Sequence, residues 1–211
     1  MPQGVFITLE GGEGAGKSTL AQGLTATLER RGIDVRCTRE PGGTPLAERL
    51  RAVLLERTQE TISPVAETAL MFAARAVHLD NLVRPALAAG TWVICDRFTD
   101  ASYAYQGAGR GVARDLLDAL AHHVQAGLVP HRTLLLDLPV EDGLRRARQR
   151  SVAGDRFERE ALPFFAAVRA EYLRRAQAEP ERVRVIDATQ APSAVLAAAV
   201  GALSDLLPET R

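Results

Sequence analysis

The segment Gly11-Gly12-Glu13-Gly14-Ala15-Gly16-Lys17-Ser18 constrains this chain more than any other, because it matches G-x-x-x-x-G-K-[ST] at every fixed position. Before it, Val5-Phe6-Ile7-Thr8-Leu9 reads as a buried strand. After it, Leu20, Leu24 and Leu28 recur at helical spacing between Ser18 and Arg31. Strand, glycine loop and helix together describe a phosphate-binding turn. A loop that wraps a triphosphate must turn successive backbone N–H groups inward, and glycines allow those dihedrals with no side chain in the way. The helix that follows adds its free N–H groups and the positive end of its dipole. In this geometry Lys17 reaches the β- and γ-phosphates and the Ser18 hydroxyl meets Mg²⁺; Gly12, Glu13, Ala15 and Thr19 complete the expected donor-nucleotide segment.

A chain of 211 residues is long enough for one domain with a full core. Its formal net charge of +0 gives no bulk attraction for nucleic acid or a membrane surface. No basic, apolar leader and no apolar run of membrane-spanning length is read in it, so a cytoplasmic setting is expected. Cys37 and Cys95 both fall in predicted strands and read as small buried core residues in a reducing compartment. His78, His122, His123 and His131 have no metal-ligand spacing and read as surface or packing residues.

The rest of the chain alternates strand and helix. Strands are predicted at 33–38, 91–95, 133–137 and 183–187. Helices are predicted at about 45–55, 63–88 with a bend at Pro85, 112–126, 140–149, 158–178 and 192–207. Ser63-Pro64 with Glu67 is a strong helix start. The stretch 98–105 reads as irregular and 107–111 as a loop. This alternation predicts an α/β fold of P-loop type: a five-stranded parallel sheet between two helical layers, one domain over 1–211, with a short lid at about 148–158. Ligands in such a fold bind at the carboxyl ends of the strands. The phosphate loop, Arg39-Glu40-Pro41 and Asp96-Arg97 all fall there and are expected around one cleft.

Two apolar strands end in aspartate, Asp96 and Asp137, and either could hold the Mg²⁺ shell, Asp96 being the first choice. No N-K-x-D guanine-reading motif is present, which argues against a GTPase. Lys17 is the only lysine, whereas arginines crowd the strand ends and loops. Arginines aimed at a cleft suit bidentate grips on a second phosphate. Two phosphate-bearing substrates in one cleft imply transfer between them. The competing readings are a kinase for another nucleoside monophosphate and a P-loop ATPase.

The chain resembles the thymidylate kinase family over nearly its whole length. The resemblance rests on Leu9-Glu10-Gly11, Thr38-Arg39-Glu40-Pro41-Gly42-Gly43-Thr44, Met71-Phe72-Ala73-Ala74-Arg75, Asp96-Arg97-Phe98, Tyr103-Ala104-Tyr105-Gln106-Gly107, Asp155-Arg156 and Ile186-Asp187-Ala188-Thr189-Gln190. It implies ATP-dependent, Mg²⁺-dependent phosphorylation of thymidine monophosphate by a homodimer, in thymidine triphosphate synthesis. It further implies that Arg97 grips the acceptor phosphate, that Arg75 lies near the acceptor base and phosphate, and that Phe72, or Met71 beside it, packs on thymine. Ser102 and Gln106 are expected at the base edge, Tyr105 against the deoxyribose and Pro41 near the base. Glu40 either orders the site or caps its loop, and Arg39 either serves the cleft or makes a surface ion pair. The phosphate loop carries no arginine, so the chain resembles the lid-arginine type. Arg150 is the first candidate to reach the transferring phosphoryl group and Arg156 the second. Arg148 and Gln190 are expected near adenine, while Arg145 and Arg146 read as a solvated basic helix end.

Overall fold

The computed structural model describes residues 4–56, 60–150 and 160–208, with Arg150 described in its backbone only. Five parallel strands form one sheet: β1 Phe6–Glu10, β2 Val35–Arg39, β3 Trp92–Asp96, β4 Arg132–Asp137 and β5 Val183–Asp187. Their spatial order is β2-β3-β1-β4-β5. The chain moves to one side of β1 for β2 and β3 and to the other for β4 and β5. The crevice where the order reverses therefore opens beyond the carboxyl ends of β1, β3 and β4.

Strand periodicity sorts the core into two layers. Ile7 and Leu9 of β1, Ile94 of β3 and Leu134 and Leu136 of β4 face α1 (Lys17–Glu29) and α9 (Pro192–Gly201). There they meet Leu20, Leu24 and Leu28, the three positions of the predicted stripe. Each such buried leucine contributes about 2 kcal/mol relative to an exposed one. On the other face Phe6, Val93 and Cys95 meet Leu79, Val83 and Leu87, and Leu135 and Val183 meet Phe165, Val168 and Tyr172 of α8 (Leu162–Ala178). Glu10 shares this second face with Phe6, which directs its carboxylate toward α8.

Helix α2 (Pro45–Leu55) starts where expected, with the Thr44 hydroxyl accepting from the Ala47 N–H. Helix α3 (Pro64–His78) is capped by Ser63, whose Oγ accepts from the Ala66 N–H at 3.2 Å. The predicted long helix is broken as its proline requires. The backbone widens into a π-turn over Leu79–Val83 before α4 (Arg84–Ala88), because Pro85 has no N–H to donate and its ring crowds the preceding turn.

Several expectations are corrected. The stretch after Phe98 is helical: α5 (Thr99–Ser102) runs into a second π-turn, Tyr103–Gly109. Gly109 reads as a loop residue, but a Cβ there would lie 2.5 Å from the Phe164 ring, so the glycine serves close packing against α8. Cys37 is exposed, because β2 is an edge strand; Cys95 on the inner strand β3 is buried. Helices α6 (Arg114–Gln125) and α7 (Val140–Arg150) match their predicted places, whereas α8 begins later and α9 ends earlier than predicted.

Candidate active site

The phosphate loop joins β1 to α1 and adopts the expected turn. Gly11, Gly14 and Gly16 have φ of 137°, 70° and 94°, a region closed to most side chains. At Gly14 space as well as dihedral demands glycine, since a Cβ would stand 2.1 Å from the Gly143 carbonyl oxygen of α7. Lys17 is 8% exposed and folds over its own loop, its Nζ donating to the carbonyls of Gly11 at 3.1 Å and Gly12 at 3.0 Å. Burial, and then the charge of Arg97, push its pKa down.

The loop, Asp96 and Arg97 line a cavity of about 210 Å³. Ser18 and Asp96 both face it, and hydroxyl and carboxylate oxygens are the donors that Mg²⁺ prefers. These residues fit the ion. Asp137, the other strand-end candidate, is taken up by Arg169 through bonds of 2.7 and 2.9 Å.

A larger cavity of about 560 Å³ lies on the other side of the loop, between Thr19, Gln190, Pro192 and Arg146. Thr19 and Gln190 come together in its lining. Arg148 does not line this cavity and Arg146 does, its Nη1 donating to the Ala188 carbonyl at 3.2 Å. Two residues on a helix differ by about 200° in direction, so the two arginines leave α7 on opposite sides.

Next to the loop a third cavity of about 100 Å³ is lined by Glu40, Pro41, Met71, Arg97, Tyr105 and Gln106, with Glu13 and Arg51 at its edge. Phe72 does not reach it. It is 1% exposed and packs with Tyr103, Val112 and Leu117, under the Arg75 guanidinium 4.6 Å from its ring centroid. Met71, one residue earlier on α3, turns toward the cavity. Arg75 and Ser102 are buried behind it. Arg75 Nε donates to Glu40 Oε2 at 2.7 Å and its Nη2 to Ser102 Oγ at 3.0 Å and to the Phe98 carbonyl at 3.1 Å. Glu40 thus orders the site. His78 bonds its other oxygen at 3.0 Å and reaches Thr38 Oγ1 at 2.7 Å through the remaining ring nitrogen. Arg39 pairs with Glu48 at 2.9 Å on the surface.

Arg97 stands between the loop and this third cavity, with an unusual φ of 72° for a residue other than glycine. Its Nη2 meets Glu13 Oε1 at 2.6 Å and its guanidinium lies 4.5 Å over the Tyr105 ring. The Tyr105 hydroxyl donates to the same Glu13 oxygen at 3.0 Å. Behind them Glu10 accepts from the Phe98 N–H at 2.8 Å and from the Tyr172 hydroxyl at 2.7 Å. Burial, and then the charge of Asp100, raise the Glu10 pKa to about 7. Burial and the Glu10 charge push the Tyr172 phenol up.

Sequence reasoning missed the side-chain role of Glu13, and it missed Arg51, Arg146 and Tyr172. The sequence points to Glu13 only as part of the donor-nucleotide segment, with no signal for its bond to Arg97. Arg51, whose Nη1 donates to the Pro41 carbonyl at 2.9 Å, is one of many helical arginines and carries no local signal. Arg156 lies outside the described residues, as do the Arg150 side chain and most of the expected lid.

The arrangement offers a triphosphate loop, an oxygen-donor metal position and a second arginine-anchored cavity beside it. Comparison with known proteins agrees. The thymidylate kinase family profile matches residues 9–199. Thymidylate kinase of Methylococcus capsulatus is 55% identical over 207 residues, covering 98% of both chains. That of Pseudomonas syringae pv. tomato is 55% identical over 206 residues, covering 98% of this chain and 96% of the relative. The crystal structure of thymidylate kinase from Ehrlichia chaffeensis superposes with a TM-score of 0.78 at 29% identity, covering 96% of this chain and 100% of that one. The profile matches residues 9–199 and the relatives align over nearly the whole length, so the chain belongs to the thymidylate kinase family.

Proposed function

We propose that this protein transfers the γ-phosphoryl group of ATP to the phosphate of thymidine monophosphate, giving ADP and thymidine diphosphate. One observation carries the choice of base. Two buried polar atoms beside the third cavity have no partner among the described residues: Arg75 Nη1, a donor, and Gln106 Oε1, an acceptor. An imide edge, with a C4 carbonyl and an N3–H, offers the complementary acceptor and donor, whereas cytosine reverses both. Buried groups left unpaired by a wrong base discriminate strongly.

The acceptor is already an anion, so alignment and charge neutralisation do the catalytic work. The loop N–H groups and Lys17 hold the donor phosphates. Arg97 grips the acceptor phosphate and aims it at the γ-phosphate. Tyr105, stacked under Arg97, lines the deoxyribose side, and Met71 supplies an apolar wall for the base. Ser18 and Asp96 would hold Mg²⁺, which when bound offsets charge on the phosphate oxygens. Arg150, with Arg156 second, is assigned to the transferring group from the lid. Arg146 takes the adenine-side position.

The reading includes a homodimer and a cytoplasmic location. Leu46 and Val53, two helical turns apart on α2, and Val65 on α3 are about half exposed, which supports pairing through these helices. Among the described residues no helix is long and apolar enough to cross a membrane. The test is coupled ADP release with ATP, Mg²⁺ and a panel of nucleoside monophosphates. Turnover that requires thymidine monophosphate is expected. Release that ignores every acceptor would leave an ATPase, and preference for another base would move the specificity.

A further inference from the structure

Gln106 can show the acceptor cavity either its amide oxygen or its amide nitrogen, and something must choose. The structure places Glu67, in the first turn of α3, against it: Gln106 Nε2 donates to Glu67 Oε1 at 2.9 Å, with both residues 1% exposed. A carboxylate only accepts. The opposite amide orientation would set oxygen against oxygen in a buried place and forfeit a charge-assisted bond. The nitrogen is therefore committed to α3, and Gln106 Oε1 is left as a buried acceptor without a partner among the described residues.

Glu67 is itself held. Arg110 Nε stands 3.4 Å from Glu67 Oε2, and the same guanidinium pairs with Glu160 at 2.7 Å and lies 4.9 Å over the Phe164 ring. The π-turn carries Gln106, and Arg110 follows that turn directly. One side of the cavity is thus fixed by a carboxylate on α3 that does not line it.

We propose that Glu67 is a positioning residue that locks the Gln106 amide with its oxygen toward the cavity, and so selects acceptor pyrimidines carrying an N3–H. This rests on the acceptor assignment above. With glutamine at 67 the partner can also donate, the Gln106 amide can turn over, and a cytosine ring, whose N3 accepts, gains a donor.

The test compares steady-state turnover of thymidine and deoxycytidine monophosphates at saturating ATP in wild type, Glu67→Gln, Glu67→Asp, Gln106→Leu and the double variant Glu67→Gln/Gln106→Leu. Glu67→Gln is expected to shift the ratio of kcat/KM values toward cytosine by roughly 10- to 100-fold, through KM, with kcat for thymidine monophosphate nearly kept. Glu67→Asp, still acceptor-only, keeps the ratio while KM rises. Glu67→Gln adds nothing to the ratio once Gln106 is leucine, since coupled residues are non-additive. An unchanged ratio in active Glu67→Gln, an equal shift in Glu67→Asp, or an additive double variant overturns the proposal. Should Glu67→Gln not fold, the wild-type side-chain amide protons of Gln106 decide, assigned by their loss in Gln106→Leu. Slow solvent exchange is expected, and exchange as fast as that of exposed glutamines overturns the proposal. Wild type without thymidine monophosphate turnover would sink the assigned acceptor and the proposal with it; a failure confined to the variants would sink the proposal alone.

Discussion

Arg97 Nη2 stands 2.6 Å from Glu13 Oε1. The carboxylate belongs to the phosphate loop and the guanidinium to the end of β3, so this ion pair spans the boundary between the loop cavity and the cavity lined by Met71 and Gln106. Tyr105 tightens it with a hydroxyl on the same oxygen and a ring under the guanidinium. Arg97 is thereby held by the phosphate loop, in a backbone conformation that costs strain.

Arg97→Ala is expected to lower kcat by about 10²–10³ at saturating substrates, the usual consequence of removing one preorganised charge from a phosphoryl-transfer site. The fold should survive, because the main-chain bond of residue 97 to Leu9 remains and the lost guanidinium contacts, to Gly11, Glu13, Tyr105 and Tyr172, all lie at the cleft. Turnover and a thermal melt on the same preparation check both halves. Near-normal turnover would remove Arg97 from the reaction.

Arg146 and Arg148 separate two readings of α7. Only Arg146 lines the cavity beside Gln190. Arg146→Ala should raise the KM for ATP roughly 3- to 30-fold, as expected for loss of one cationic ligand contact, with KM for the acceptor unmoved. Arg148→Ala should leave both close to wild type. Reversed effects would place adenine on the other side of the helix.

The legible part of the site followed from local chemistry. Gly14 and Gly16 announce a loop that only glycine can make, and a strand that ends in Asp96-Arg97 must deliver them to the crevice. Met71 and Phe72 show where legibility stops: both suit an apolar wall, and only the packing of α3 against Tyr103 and Leu117 decides which one turns inward. The π-turn at 103–109 was hidden for a similar reason. Its glycines resemble loop residues until Phe164, far along the chain, occupies the space beside Gly109. Cys37 was misjudged because strand order, which makes β2 an edge, is a tertiary property.

Asp100 ties α5 to α8 and to the start of β5. It is buried, it accepts from Arg175 Nε, and Arg182 donates to it through two nitrogens at 2.8 and 2.9 Å. Burial alone would raise its pKa, but the two arginines outweigh burial and hold it low. Asp100→Asn takes the buried counter-charge from two mostly buried cations and leaves them only the half-exposed Glu179, at a cost of about 3 kcal/mol. For a domain of this size that is a fall in Tm of roughly 6–12 °C. Calorimetry measures it. A shift under about 2 °C would mean that the arginines find water or other partners instead.

Glu10 is shifted the opposite way from Asp100, and its shift makes stability depend on pH. Its ordinary pKa of 4.5 rises to about 7 in the fold, through burial first and the Asp100 charge second. Below 4.5 the folded and unfolded chains both hold this proton, and the group's contribution to stability is complete. Between 4.5 and 7 the unfolded chain releases the proton while the fold retains it, so stability is lost as pH rises, on the order of 3 kcal/mol in full. Above 7 the loss is complete. Glu10→Gln keeps an amide oxygen to accept from the Phe98 N–H, sets its amide nitrogen to donate to the Tyr172 hydroxyl oxygen, and has nothing to titrate. Urea unfolding of both proteins at pH 5 and pH 8 isolates the effect from the other carboxylates. The variant should gain on wild type at pH 8 relative to pH 5, and a difference that stays flat would mean that Glu10 ionises in the fold as easily as in the unfolded chain.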